Sequence, residues 1–261
     1  MQSLYTAATG MKAATITIDV IAHNLANGST TGYKRERAEF QDLIYLTHRR
    51  VGTQTADDGT LRPVGSQIGL GATLVAVYDN FAQGPSEITN NSLDLSINGK
   101  GFFRVTLPDG SEAYTRAGTF QLNAQGTIVT ADGYQVSPGI TIPPNAISVT
   151  VNNSGEVLVT LPNQTAPSNV GQFDVVRFQN EAGLEHKGQN LYSETEASGA
   201  PIDGVANQEG FGFIMQGSLE GSNVDTVLEL TDMIKAQRLF ELNVKVLSAS
   251  DESMKTLNQS A

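Results

Sequence analysis

The sequence has 261 residues, with 16 basic and 27 acidic side chains and a formal charge of −11. It contains no cysteine, which excludes a disulfide scaffold, a thiolate metal site and a cysteine nucleophile, and its three histidines leave little for a histidine metal site. The acidic balance argues against nucleic-acid binding, which needs a clustered basic surface.

An amphipathic helix is predicted at the N-terminus by hydrophobic residues that recur every seven positions. These residues form a narrow seam and are Leu4, Met11, Ile18 and Leu25. A second row is expected at Ala8, Thr15 and Ala22, and an end near residues 24–28, where Asn and Gly tolerate a left-handed cap. No basic segment precedes an uninterrupted apolar run, so a cleaved secretory signal is not expected.

Charged residues follow this helix. Lys34, Arg35 and Arg37 alternate in sign with Glu36 and Glu39. This alternation favours a solvated or salt-bridged helix face, and an anionic surface met in assembly is the alternative. We therefore expect residues 1–45 to form an N-terminal helical part.

Residues 51–71 are rich in Gly and Thr and have neither helical nor strand periodicity. They are interpreted as a linker or, alternatively, as an extended arm that lies on a neighbouring subunit. The boundaries predicted for this arm are residues 46 and 74.

Residues 75–221 consist of short β-branched or alternating runs separated by Gly-centred turns. Hairpins are expected at Asn98-Gly99 and at residues 108–110, 123–126, 131–133 and 152–155. This density of turns predicts an all-β domain. It carries most of the negative charge, because residues 63–222 hold 15 acidic and 5 basic side chains.

A second amphipathic helix is predicted over residues 223–258, with Ser222 and Asp225 as its capping residues. Its seam residues are Leu230, Met233, Phe240, Val244, Leu247 and Met254. The terminal helices could be core helices of a globular domain or a coiled coil between subunits; their thin stripes at opposite chain ends favour pairing that needs neighbours. The predicted fold class is α + β, with paired terminal helices, a central all-β domain and an extended arm.

Catalytic motifs are missing from the sequence, which has no HExxH, Walker loop, GxSxG or GxGxxG pattern. No catalytic, cofactor or metal site is therefore expected. A hydrolase that uses paired carboxylates would require Asp57 and Asp58 to lie in a pocket. Adjacent acids in a polar stretch are usually just solvated.

Five strings in the same order resemble signatures of the flagellar rod and hook protein family. They occupy residues 21–35 (NNxAN…TGYK), 38–45, 93–103 (LDxAIxGxGFF), 114–120 (YTRxGxF) and 222–241 (SNVxxxxExxxMIxxQRxYE). The matching positions are Asn24, Asn27, Thr31, Gly32, Tyr33, Lys34, Gly99, Gly101, Phe102, Phe103, Tyr114, Thr115, Arg116, Gly118, Asn223, Gln237 and Arg238. His23, Gly28 and Phe240 depart from the usual Asn, Val and Tyr without removing a charge that the motifs need.

The resemblance implies a structural subunit of the distal rod, a straight, rigid, hollow shaft that transmits motor torque to the hook and encloses the export channel. It implies that residues 1–45 and 222–261 build an inner coiled-coil tube and that the β domain, residues 75–221, faces outward. Residues 46–74 would contain the rod-specific segment. We assign to that segment Val51, Gly52, Gly59, Pro63 and Gly65.

The implied partners are further copies of the chain, proximal-rod proteins, the hook protein, the L- and P-ring bushing proteins, the rod cap and the flagellar type III export apparatus. The implied location is the basal body across the periplasm, reached without a cleaved signal, and no membrane insertion is expected. A proximal-rod or hook subunit is the alternative within the family. A secreted β-domain adhesin or binding module is a remote alternative, because it would not need heptads at both ends.

Overall fold

The structure, a computed structural model, describes residues 2–52, 64–162, 164 and 166–260. The chain divides into two compact units. The first contains the described parts of Met1–Ala26, Glu36–Tyr78 and Asp225–Ala261, and the second contains Asn27–Arg35 and Asp79–Val224. The predicted α + β class is confirmed, since a helix at each end of the chain flanks a β-rich middle.

Two long helices dominate the first unit, α1 (Gln2–Ala26) and α2 (Thr226–Ser260). The turn that begins at Asn27 ends α1, as the sequence predicted. Asp225 caps α2, because its Oδ1 accepts hydrogen bonds from the amides of Val227 (2.9 Å) and Leu228 (3.2 Å). The expected cap at Ser222 is therefore wrong by three positions. Neither helix is long and apolar enough to cross a membrane, and the described chain has no other that is.

Four strands lie wholly or mostly in the first unit: β1 (Arg35–Asp42), β2 (Tyr45–Arg49), β3 (Ser66–Gly69) and β4 (Ala72–Asn80). β1 pairs with β4, and β2 pairs with β3 in antiparallel register that places Tyr45 opposite Gly69. The helix face expected for residues 34–39 is thus wrong. Alternating charges also fit the two-residue period of a strand whose faces differ in exposure, and β1 has that pattern.

The second unit is built from sixteen strands within the described residues. In chain order they are β5 (Ser86–Ile88), β6 (Leu95–Asn98), β7 (Phe102–Thr106), β8 (Glu112–Thr115), β9 (Phe120–Leu122), β10 (Ile128–Thr130), β11 (Gln135–Val136), β12 (Ser148–Val151), β13 (Glu156–Thr160), β14 (Ser168–Gln172), β15 (Asp174–Arg177), β16 (Glu185–Gly188), β17 (Leu191–Ser193), β18 (Ile202–Val205), β19 (Phe213–Gln216) and β20 (Ser218–Glu220).

A nine-stranded sheet organises this unit in the order β16-β17-β8-β7-β11-β10-β9, with β15 joining β7 and β18. A three-stranded sheet, β12-β13-β14, and the pairs β6-β19 and β5-β20 accompany it. The expected hairpins at residues 108–110, 123–126, 131–133 and 152–155 are confirmed by the antiparallel pairs β7-β8, β9-β10, β10-β11 and β12-β13. Asn98-Gly99 is not a hairpin turn, because β6 pairs with β19 and not with β7.

The core of the second unit lies on both faces of β7. Phe103 belongs to a large cluster that includes Phe120 and Phe173, whereas Phe102 belongs to a smaller one that includes Tyr114. Successive side chains of a strand point to opposite faces. The motif dipeptide Phe102-Phe103 therefore anchors both clusters, and each ring makes edge-to-face contacts with other aromatic rings.

Candidate functional site

The terminal helices pair with each other in antiparallel orientation, which confirms the predicted coiled-coil pairing. The Oγ of Ser250 lies 3.3 Å from the Oγ of Ser3, and at the other end the Nδ2 of Asn24 lies 3.4 Å from Oε2 of Glu229. The start of α1 therefore meets the last turns of α2, and the end of α1 meets the first turn of α2. This arrangement belongs entirely to the first unit.

The predicted seam positions are only partly covered within one copy. The half-buried ones are Leu4, Met11, Ile18, Leu25, Met233, Leu247 and Met254. Phe240 and Val244 each remain 37% exposed and Leu230 is 47% exposed. The role of this row in assembly therefore stays a prediction.

The second row of α1 differs from the expectation. Ala8, Thr15 and Ala22 are exposed, whereas the buried positions are Ala7, Ala14, Ile21 and Asn24. The seven-residue period is right, but the partner row is displaced by one residue. On α2, the buried members of the corresponding row are Glu229 and Ala236.

A broad apolar surface of α2 remains uncovered. Its exposed large hydrophobic residues are Val227, Leu228, Leu230, Ile234, Leu239, Phe240, Leu242, Val244 and Val246. Val227 is 70% exposed, and Leu239 and Leu242 are each 56% exposed. Exposed apolar side chains in this number on one helix are suited to contacts with another chain.

A buried ion cluster in the second unit joins cations from two of the family motifs to one carboxylate. Lys34 donates from Nζ to Oε1 of Glu220 at 2.5 Å, and Arg116 donates to Oε2 of Glu220 at 3.4 Å. The side chains of Lys34, Glu220 and Arg116 are 0%, 1% and 2% exposed. One carboxylate thus serves two cations in the protein interior.

Further contacts complete this cluster. Lys34 Nζ donates to the carbonyl of Ala82 at 2.9 Å, and Arg116 donates to the carbonyl of Gly99 at 2.9 Å. The amide of Gly84 donates to Oε1 of Glu220 at 3.0 Å. The guanidinium of Arg116 also lies over the ring of Phe102, 5.1 Å from its centroid.

Burial and charge act in opposite directions on these groups. Burial lowers the pKa of the Lys34 ammonium, and the Glu220 carboxylate opposes that shift. The same two causes act on Arg116, whose pKa is also lowered by burial. Glu220 therefore makes the largest favourable contribution to keeping these two desolvated groups charged.

Backbone contacts beside the cluster hold two chain segments together. The amide of Gly32 donates to the carbonyl of Glu220 at 2.7 Å, and the amide of Arg35 donates to Oδ1 of Asn223 at 2.7 Å. The Nδ2 of Asn223 in turn donates to the carbonyls of Asn80 (2.8 Å) and Ala82 (3.0 Å). The segment that follows α1 is thereby fixed to the segment that precedes α2.

Gly32 is required here for two reasons. Its φ of +70° lies in the left-handed region, and an added Cβ would lie 2.7 Å from the backbone nitrogen of Ala117. Gly118 permits a close approach of another kind, because its Cβ would overlap the carbonyl oxygen of Leu95. These two motif glycines are structural.

The remaining motif residues serve the turns and the core of the second unit or lie on α2. Thr115 donates to the carbonyl of Asn190 at 2.8 Å, Thr31 accepts from Asn190 at 3.2 Å, and Asn27 accepts from Thr30 at 3.1 Å. Tyr33 is buried, and Gly99 and Gly101 have positive φ. Gln237 and Arg238 are exposed on α2.

The proposed arm is represented by a β-hairpin in the described residues. Strands β2 and β3 form it, every residue of β2 is exposed, and Val51 is 64% exposed. Gly52 has a positive φ of 73°, and an added Cβ at Gly65 would lie 2.8 Å from the carbonyl oxygen of Arg49. Gly59 and Pro63 lie outside the described residues, as do Asp57 and Asp58 of the hydrolase alternative.

Two of the buried carboxylates, Glu220 and Glu229, were not identified as site residues from the sequence, although the glutamate of the SNVxxxxExxxMI motif falls at Glu229. The available signal for Glu220 was indirect, because motif cations at Lys34 and Arg116 require a counter-charge if they are buried. Glu229 carried a clearer signal. It lies seven residues before Ala236 and fourteen before Asn243, in register with the half-buried α2 row.

Three family models match successive parts of the chain. The model described as flagella basal body rod protein matches residues 4–34. The flagellar hook protein FlgE/F/G D1 domain matches residues 96–159, and the flagellar basal body rod FlgEFG protein C-terminal matches residues 215–260.

Full-length relatives agree with these matches. The chain is 49% identical to the flagellar basal-body rod protein FlgG of Caulobacter vibrioides, over 99% of both chains. It is 46% identical to FlgG of Buchnera aphidicola subsp. Schizaphis graminum, over 98% of both. Identity to the basal-body rod protein FlgF of Caulobacter vibrioides is 36%, over 90% of this chain and 87% of that protein.

Proposed function

The chain belongs to the family of flagellar basal-body rod proteins, and from this membership we propose that it is a structural subunit of the distal rod. Copies of the chain polymerise into a straight, rigid, hollow shaft. The shaft carries motor torque to the hook and encloses the export channel. The likeness to FlgG, which is greater than that to FlgF and extends over nearly the whole chain, supports this choice of rod member.

The observation that carries the proposal is the uncovered apolar surface of α2. A lone helix pair with residues such as Val227, Leu239 and Leu242 in water forgoes the stabilisation of burying them, about 25 cal/mol per Å² of apolar surface. Neighbouring copies of the same helices supply the cover. Contacts of this kind that do not close on themselves generate an open helical filament.

The ion cluster has a supporting role in this proposal. Lys34, Arg116 and Glu220 hold the segments next to the two helices within a folded β-rich unit. Force transmitted along a shaft must pass between helices and β domains without local unfolding. A buried, fully hydrogen-bonded carboxylate is suited to that requirement because removing any partner is costly.

The hairpin β2-β3 and the residues between its strands in sequence are the proposed rod-specific arm, with Val51, Gly52, Gly59, Pro63 and Gly65 as its markers. An isolated two-stranded hairpin is marginal in water, and exposed Val51 and Tyr45 offer apolar contacts to a neighbouring copy. We expect deletion of residues 51–65 to leave a subunit that assembles into a bendable filament. A straight filament from the deleted protein would refute this assignment.

The proposed partners are proximal-rod proteins on one side, the hook protein on the other, the L- and P-ring bushing proteins around the shaft, and the rod cap during assembly. The proposed route is the flagellar type III export apparatus, without cleavage of a signal, into the periplasm. The acidic β-rich unit would keep the exported subunit soluble. No enzyme activity is proposed.

Deletion and complementation of the gene in its own bacterium tests the function. Basal bodies isolated from the deletion strain should lack the distal rod and the hook in electron micrographs, and the wild-type gene should restore both. A Ser248→Asp gene is the matched control for an exposed helix position and should restore them equally. Basal bodies with an intact rod but no hook would instead assign the chain to the hook.

A further inference from the structure

One row of the α1–α2 interface is polar or small at every position. Ser3 meets Ser250, Gly10 meets Asn243, and Asn24 meets Glu229. Successive pairs are seven and then fourteen residues apart on both helices, and Thr17 and Ala236 occupy the remaining positions of the two rows. The row therefore follows the same heptad period as the apolar seam beside it.

The apolar seam cannot define the register of the helices by itself. Leu4, Met11, Ile18 and Leu25 repeat every seven residues, as do Met233, Phe240, Leu247 and Met254. Sliding one helix past the other by a heptad, about 10 Å, brings apolar residues opposite apolar residues again. The pair Ser3–Ser250 is permissive because both residues are small. The pair Gly10–Asn243 discriminates weakly, because the Asn243 amide that would lie 2.9 Å from a Cβ added at Gly10 is the end of a flexible side chain.

The pair Asn24–Glu229 is the exception. Both residues are buried, at 1% and 0% exposure, and Asn24 is fixed independently because its Oδ1 accepts from the amide of Glu36 (2.8 Å) and its Nδ2 donates to the carbonyl of Glu36 (2.9 Å). A one-heptad slide would place Glu229 opposite Thr17, or Asn24 opposite Ala236. A desolvated carboxylate without its amide partner is strongly disfavoured.

We propose that the buried Asn24–Glu229 layer fixes the register of α1 against α2 and excludes pairings displaced by one heptad. A buried polar pair among apolar rows is a known means of specifying helix register at some cost in stability. The register is set within one copy, so this role is independent of whether the chain forms the distal rod.

Disulfide trapping in the full chain tests the register directly, because the protein has no cysteine of its own. Ser3→Cys with Ser250→Cys reports the native register. Ser3→Cys with Asn243→Cys, and Thr17→Cys with Asn243→Cys, report slides of one heptad in the two directions. In the native register the residues of each latter pair are offset by about 10 Å along the helix axes, which already exceeds the Cα separation of about 7 Å that a disulfide allows.

Glu229→Leu should raise the yield of a displaced disulfide, relative to the native one, by about tenfold, the ratio that about 1.4 kcal/mol produces. Glu229→Gln keeps the hydrogen bond to Asn24 and should retain the native pattern. Thr17→Val, a change in the same row, should also retain it when measured with the cysteines at Ser3 and Asn243.

Moving the carboxylate by one heptad gives the complementary test. Glu229→Leu combined with Ala236→Glu should make the disulfide between positions 17 and 243 the main product, since Asn24 would then meet the displaced carboxylate. Native disulfide ratios in both Glu229→Leu and the combined variant would overturn the proposal. So would a rise in displaced disulfide for Thr17→Val as large as that for Glu229→Leu. If circular dichroism shows helix loss in Glu229→Leu, the combined variant decides.

Discussion

Replacement of Glu220 by Gln removes the carboxylate that contacts both Lys34 and Arg116 in the buried cluster. The change preserves side-chain volume and an oxygen acceptor for the amide of Gly84. It leaves two desolvated cations close together without the carboxylate that contacts both of them. The cost is therefore electrostatic and not a packing defect.

The expected loss of stability is large. Breaking a buried ion pair by removing one partner costs about 3–5 kcal/mol. For a unit of about 150 residues, each kcal/mol lowers the melting temperature by about 2–4 °C. We therefore predict that Glu220→Gln melts roughly 6–20 °C below the wild-type protein.

Differential scanning calorimetry of the full chain measures this shift. Glu112→Gln is the matched control in the same unit, because its ion pair with Arg104 spans 3.5 Å and the Glu112 side chain is 47% exposed. An exposed pair of this kind contributes about 1 kcal/mol or less. Equal, small shifts for the two variants would refute the view that the cluster secures the β-rich unit.

Three other predictions test separate parts of the structure. Phe240→Asp or Leu247→Asp should block filament formation in a sedimentation assay by placing an unpaired charge in the helix seam, whereas Ser248→Asp should not. Normal filaments from the seam variants would mean that the wrong helix face was assigned. Gly32→Ala should destabilise the protein by about 1–3 kcal/mol in urea unfolding because of its positive φ, and an unchanged midpoint would contradict that strain. Burial, and then the charge of Glu112, raises the pKa of the Tyr114 hydroxyl above its ordinary 10.0. The unfolded chain therefore loses the hydroxyl proton first, and the free energy of unfolding falls as pH rises above about 10. Tyr114→Phe should reduce that fall, and an identical dependence of stability on pH in the variant and the wild type would contradict this.

Residue patterns predicted where the helices and hairpins occur better than they predicted which residues contact one another. The heptads of Leu4 to Leu25 and of Met233 to Met254 predicted both helices, and glycine-centred turns predicted four of the hairpins. The partner row failed at Ala7 and Ala14, because adjacent alanines at positions 7–8 and 13–14 make neighbouring rows nearly equivalent in hydrophobicity. A one-residue displacement is decided by packing, which a single sequence does not contain.

The sequence motifs identified the two cations of the buried ion cluster but not its carboxylate. Lys34 and Arg116 stood within recognisable motifs, but Glu220 lies far from both in sequence and is brought to them by the pairing of β20 with β5. The segment after α1 was misread because alternating charges suit an exposed helix as well as an edge strand. Long-range pairing, which made β1 a strand beside β4, resolved that ambiguity.

Electron microscopy of the purified full-length protein tests the central claim most directly. We predict that concentrated protein forms straight, hollow tubes and that a variant lacking residues 223–261 forms none while its β-rich unit still unfolds cooperatively. Protein that stays monomeric under conditions in which its β-rich unit is folded, or tubes that form equally well without α2, would contradict the account.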